Sequence, residues 1–131
     1  MPSPGRIDSI AFPSGNGVRV DSHVFDGYTV PCLYDSLIAK VIVHGKYRAE
    51  TIQKMIASLD RFHVSGIDTT VPFHKEILTN EMFWDGRINT RFVEDYIDAR
   101  KTAAITEERQ LLDDNRQVDR DLEAIRELLT V

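Results

Sequence analysis

Asp21-Ser22-His23 sets the three residue types of an acyl-transfer triad side by side. A working triad needs the hydroxyl, the imidazole and the carboxylate to converge in space. On an extended strand, neighbouring side chains point to opposite faces, so this adjacency argues against one. Gly15-Asn16-Gly17 has the glycine density of a phosphate-cradling loop, yet neither a helix start nor a Lys-Ser/Thr pair follows it. It reads better as a turn. His23, His44, His63 and His74 share no ligand spacing with one another or with Cys32, so no metal site is expected. Cys32 has no Lys or His beside it to stabilise a thiolate and is read as a small packing side chain. As the single cysteine it excludes an internal disulfide and suits a reducing compartment. Taken alone, these residues assemble no catalytic constellation.

The elements that carry them fall into three stretches. Up to about residue 45 the chain reads as β structure. Arg6 to Phe12 alternates loosely, and Val18 to Asp21 alternates again after Asn16-Gly17, a pair that favours a hairpin because both residues tolerate positive φ. Val24-Phe25 is expected as a further short strand turned by Asp26-Gly27. Ser36 to His44 is a β-branched run suited to the middle of a sheet, with Lys40 carrying its charge out to an edge.

From Tyr47 the period changes. Ile52, Met55, Ile56, Leu59 and Phe62 lie at helical spacing, and Gly66 is expected to end that helix near Val64-Ser65. Pro72 suits the first turn of a short helix to about Thr79. Asn80 to Gly86 is expected as a loop, and Thr90 as the cap of a third helix through Phe92, Val93, Tyr96 and Ile97. Strands first and helices after, without alternation, predict an α+β fold, an antiparallel sheet packed with helices.

The third stretch, from Asp98, has no Gly, Pro or aromatic residue. Leu111, Val118, Leu122, Ile125 and Leu129 are spaced as one apolar seam at heptad intervals. A C-terminal amphipathic helix, or two with a break near Asn115, is expected, with Glu107 and Glu108 favouring its start. A lone helix of this size is marginal in water and needs a partner surface. The organisation expected is a domain over residues 1–97 and an acidic helical tail over 98–131.

Composition narrows the partners. The 131 residues carry 21 acids against 16 bases, net charge −5, which opposes a nucleic-acid backbone. The longest apolar run, Ile38 to Val43, is interrupted by Lys40 and too short for a bilayer. Residues 1–5 lack the basic and apolar segments of a secretory signal, so a cytoplasmic location is expected.

One ordered set of motifs is more specific. Met1-Pro2-Ser3-Pro4-Gly5-Arg6-Ile7, Gly17-Val18-Arg19-Val20-Asp21-Ser22-His23, Gly27-Tyr28-Thr29-Val30-Pro31 and Tyr34-Asp35-Ser36-Leu37-Ile38-Ala39-Lys40-Val41-Ile42 follow one another closely. Gly45, Arg48, Ala49, Ile52, then Gly66 to Thr70 and Asn89-Thr90 continue the pattern. Together these residues strongly resemble the C-terminal domain of biotin carboxylases, the ATP-grasp ligases of acetyl-CoA, propionyl-CoA and pyruvate carboxylases. The likeness covers residues 1–97 and leaves out the tail.

The resemblance implies a parent enzyme that cleaves ATP with bicarbonate, using Mg²⁺, and carboxylates N1′ of biotin on a biotin carrier protein. The family's nucleotide, metal, bicarbonate and biotin-enolate residues precede the Pro-Ser-Pro-Gly segment. The isolated chain is therefore expected to bind no cofactor and to be inactive. Its implied role is to pack on the N-terminal ATP-grasp part, close the biotin side of the active site and contribute to a homodimer. Arg19 matches a residue at the interface with the second subunit, where a guanidinium can pair bidentately with a carboxylate across a two-fold axis. Asn16 stands at the same turn, where some dimeric members carry a bulkier apolar residue. Asp35 matches a residue on the biotin-side rim that pairs with an N-terminal arginine. Apolar faces around Val30 to Leu33 and Phe83-Trp84 are expected to be exposed without the N-terminal part. The alternative is an interaction module that docks a carboxyltransferase or biotin-carrier subunit through residues 106–129.

Overall fold

The computed structural model describes residues 4–32 and 36–129, with side chains of the last helix described through Leu122. The chain divides into two compact units, Met1–Arg87 and Ile88–Val131. The first holds six short strands: β1 (Gly5–Arg6), β2 (Ser9–Ala11), β3 (Val18–Ser22), β4 (Thr29–Val30), β5 (Ala39–Val43) and β6 (His63–Ser65). It also holds three helices, α1 (Arg48–Asp60), α2 (Val71–Thr79) and α3 (Glu81–Trp84). The second unit is built on α4 (Phe92–Leu129). The fold is α+β, helices with antiparallel strands and a long C-terminal helix.

The strands form three antiparallel pairs, β1 with β4, β2 with β6 and β3 with β5, rather than the one sheet expected. The expected strand from Arg6 to Phe12 splits because successive backbone groups find different partners. Ile7 N–H donates to the Tyr28 carbonyl at 2.8 Å, and Asp8 N–H donates to the Ser65 carbonyl at 2.9 Å. The ladder thus changes sides within one residue, and Ile7 between them is wholly buried.

The expected hairpin across Asn16-Gly17 does not form. A type I′ turn needs positive φ at both central residues, whereas only Gly17 (φ 74°) has it and Asn16 does not. A negative φ followed by a positive one is the pattern of a type II turn. Val18 N–H closes it on the Gly15 carbonyl, and His44 N–H then takes the Gly17 carbonyl, leading β3 onto β5. A Cβ at Gly17 would lie 2.7 Å from the His44 carbonyl oxygen, so the close approach requires glycine. Val24-Phe25 is no strand either. Val24 N–H is taken by Ser22 Oγ (3.3 Å), and its side chain is buried in a core cluster with Ile7 and Val30. The Asp26-Gly27 turn forms as expected, with Gly27 at φ 86°. β5 has a single strand neighbour and alternates half-buried and exposed side chains, Lys40 among the exposed, so it does not lie mid-sheet.

α1 ends at Asp60, short of the expected Val64-Ser65. Arg61 and Phe62 N–H close back on Ser58 and Leu59, and His63–Ser65 then pairs with β2. Phe62 continues the apolar spacing from a turn, which is why the helical pattern outruns the helix. Ile52, Leu59 and Leu78 form a second core cluster, with Met55, Ile56, Phe62, Val71, Phe83 and Trp84 against it. α2 begins as expected with a proline in its first turn. The expected loop after it contains α3, because Asn80 Oδ1 accepts from Met82 and Phe83 N–H at 2.9 and 3.4 Å.

In the second unit α4 runs through Asp98 and Asn115 without a break. Its starting side-chain acceptor is Asn89, which takes Arg91 N–H at 2.8 Å, rather than the expected Thr90. The acids in its first turn are Glu94 and Asp95, so Glu107 and Glu108 lie too deep in the helix to act on its N-terminus. From Asp98 to Leu122 every residue is exposed.

Candidate functional site

β3 presents the most organised polar pair of the first unit. Arg19 and Asp21 are two apart on a strand, so both point to one face. Arg19 Nε donates to Asp21 Oδ1 at 2.7 Å and Nη2 donates to Oδ2 at 2.8 Å, a bidentate fork. Both groups are well exposed, 72% and 42%. The hydrogen bond from Arg19 holds the Asp21 carboxyl below the usual carboxylate range, and the same bond raises the Arg19 guanidinium. Lys40, opposite Asp21 on β5, lowers Asp21 further. The family resemblance offers Arg19 a carboxylate on a second subunit; the fold gives this edge of its guanidinium one on its own strand. Asn16 is exposed at the turn before β3.

The triad residue types are engaged separately. Asp21 holds Arg19, Ser22 Oγ donates to the Ile38 carbonyl at 2.7 Å, and His23 meets the Tyr28 ring edge-on at 5.4 Å. His74 Nε2 lies 3.1 Å from Thr70 Oγ1. Among the described residues no three His, Cys, Asp or Glu side chains gather to hold a metal ion. Asp35, with Leu33 and Tyr34, lies outside the described residues.

Of the apolar faces expected to be exposed, Pro31 and Cys32 are exposed, whereas Val30 is buried and Phe83 and Trp84 are half-buried. Val30 is 8% exposed in one core cluster, and Phe83 and Trp84 pack against the other. What remains open is a groove of about 790 Å³ whose lining includes Pro31, Cys32, Met55, Phe62, His74 and Phe83. Sequence reasoning misses the clamp on its α3 side. Arg48 Nε donates to the Trp84 carbonyl at 3.1 Å, Nη2 donates to the Phe83 carbonyl, and the guanidinium lies over the Phe83 ring at 4.9 Å. The signal for it is thin: one Arg at the start of a helix, with partners more than thirty residues away. Asp26 is missed too; its Oδ1 accepts from Ile10 N–H at 2.7 Å and ties the turn to β2.

These features define a small α+β domain of paired strands and packed helices, its polar groups engaged in structural contacts. The chain belongs to the biotin carboxylase C-terminal domain family, whose model matches residues 1–95. It is 51% identical over 96 residues to biotin carboxylase 1 of Bacillus subtilis, covering 73% of this chain and 21% of that protein. Against a pyruvate carboxylase subunit from Methanothermobacter thermautotrophicus the identity is 42% over 115 residues, 86% of this chain and 23% of the relative. Among solved structures it resembles the biotin carboxylase domain dimer of the Hydrogenobacter thermophilus 2-oxoglutarate carboxylase, determined with MgADP, ADP and bicarbonate. That likeness has a TM-score of 0.70 and 36% identity, over 72% of this chain and 21% of the neighbour. The chain spans about a fifth of the length of the curated relatives it matches. No helix among the described residues is long and apolar enough to cross a membrane.

Proposed function

We propose that this chain is the closing portion of a biotin carboxylase, the ligase that uses ATP and bicarbonate to carboxylate biotin on its carrier protein. The observation that carries the reading is the family match over residues 1–95. In this reading the N-terminal ATP-grasp part holds ATP, Mg²⁺ and bicarbonate. Among the described residues no three His, Cys, Asp or Glu side chains gather to hold a metal ion, and Arg19, Asp21 and Ser22 of β3 have structural partners. The present chain seals the biotin side, with Asp35 on its rim, and is inactive alone. Arg19 and Asn16 face the second subunit, where the remaining guanidinium edge of Arg19 extends the Asp21 pair to a carboxylate across the dimer. The solved dimer of the 2-oxoglutarate carboxylase domain supports an assembly of that kind. Carrier protein and carboxyltransferase are the companion subunits, and the cytoplasm is the expected location. Residues 1–97 carry this role and residues 98–131 stand apart from it.

The test is bicarbonate-dependent ATP cleavage, with free biotin, by the chain mixed with a separately prepared ATP-grasp part. Stimulation in the mixture above either piece alone is expected. Two folded pieces that bind one another without stimulation would sink the reading.

A further inference from the structure

We propose that the exposed seam of α4 docks an amphipathic helix whose own seam is flanked by lysine or arginine. This deepens the reading above, which it needs only for the existence of a companion subunit. The spacing of Leu111, Val118 and Leu122 sets a heptad frame with Ala104, Leu111 and Val118 at d and Glu108, Asn115 and Leu122 at a. Ile105 and Leu112 fall at e and widen the stripe. Ile105, Leu111, Leu112, Val118 and Leu122 are each 52–64% exposed. Such a stripe in water calls for a partner.

Charge selects which partner. Between residues 104 and 122 the charged residues that border the seam at e and g are Glu107, Asp114, Asp119 and Asp121, all acidic. The bases of the same span, Arg109, Arg116 and Arg120, fall at b and f on the far side. Local pairing does not cancel the acidic border. Arg116 pairs with Asp113, at f, while Asp114 and Asp121 accept from the neutral amides of Gln110 and Gln117 at 3.1 and 2.9 Å. Flanking charges set partner choice in helix pairs.

A second copy of this helix is the wrong partner by the same pattern. In a parallel pair Glu108 would face its own image at a, and Asp114 would face Asp119 across the g–e contact. In an antiparallel pair the acidic g positions would face one another. A basic-flanked helix satisfies all of these positions. The match to the Methanothermobacter pyruvate carboxylase subunit fits a role in an enzyme of several chains. At 86% of the chain it must run beyond residue 98, into α4.

The experiment uses the full chain and two synthetic helical peptides of about four heptads, with Leu at a and d and one Asn at a. One peptide carries Lys at e and g, the other Glu. Fluorescence anisotropy at low salt should show the Lys peptide binding at least about tenfold tighter, weakening as salt rises. Leu111→Asp with Leu122→Asp should remove that binding, and the triple change Asp114→Lys, Asp119→Lys, Asp121→Lys should transfer preference to the Glu peptide. Circular dichroism checks that each variant keeps its helix. Equal affinity for both peptides, or binding of neither, overturns the proposal. So does seam-dependent self-association of the unmodified chain in sedimentation. None of these outcomes bears on ATP cleavage, so the docking surface and the carboxylase reading fail separately.

Discussion

The unit Met1–Arg87 and the outer part of α4 are held by opposite kinds of interaction. In the first, order comes from residues far apart in sequence: Ser9 Oγ lies 2.8 Å from Ser65 Oγ, and Arg48 reaches the carbonyls of Phe83 and Trp84. In α4 beyond Asp98 the side-chain hydrogen bonds include local ones, such as Thr102 Oγ1 to the Asp98 carbonyl and Thr106 Oγ1 to that of Thr102, one turn apart. A region of the first kind is sensitive at single positions, because each closure has one geometry. A region of the second kind tolerates most single changes and has its apolar surface available to another molecule.

The largest expected contrast is at Gly66. Its φ is 94°, and a Cβ there would meet the Arg6 carbonyl oxygen where β1 ends. Gly66→Ala should destabilise the first unit by about 3 kcal/mol or more, read as a lowered urea midpoint. Next comes Ile7, wholly buried. Ile7→Ala should cost about 2–5 kcal/mol, whereas Leu111→Ala should leave the same transition within about 0.5 kcal/mol. A comparable loss from Leu111 would mean that α4 supports the first unit and would break the contrast. Smaller again is Arg48→Ala, which strips two carbonyls of a charged donor; about 1–2 kcal/mol is expected. Arg48→Lys should recover only part of it, since a single ammonium cannot reproduce the fork.

The smallest effect concerns Asp21. Its folded pKa lies below the ordinary carboxylate value because Arg19 donates to it. A depressed carboxyl stabilises the fold above its ordinary pKa, and that contribution is lost as pH falls through the folded value. In an NMR titration Arg19→Ala should move the Asp21 midpoint upward. An unchanged midpoint would show that the pair does not persist in solution.

How much is legible in the sequence follows the same division. The helices are readable where spacing is regular: Ile52 to Leu59 for α1, Pro72 for α2 and the heptads for α4. The strand pairing is not, because Asn16-Gly17 is a local signal and the partner of β2 is β6, over fifty residues away. The helix start at Asn80 and the clamp from Arg48 escape for like reasons. One is a cap without a long helix behind it, the other a contact between residues 35 and 36 apart. For the site, Arg19 is legible through the family motif. Its fork onto Asp21 requires the strand geometry that places alternate residues on one face.

The most direct test of the account returns to the mixed assay, with two variants beside the parent chain. Mixed with the ATP-grasp part, the parent and the Leu111→Asp, Leu122→Asp chain should stimulate bicarbonate-dependent ATP cleavage equally. The Gly66→Ala chain should fail at a temperature that unfolds its first unit. Stimulation lost through the seam variant while the first unit stays folded, or no stimulation by the parent, would contradict the account.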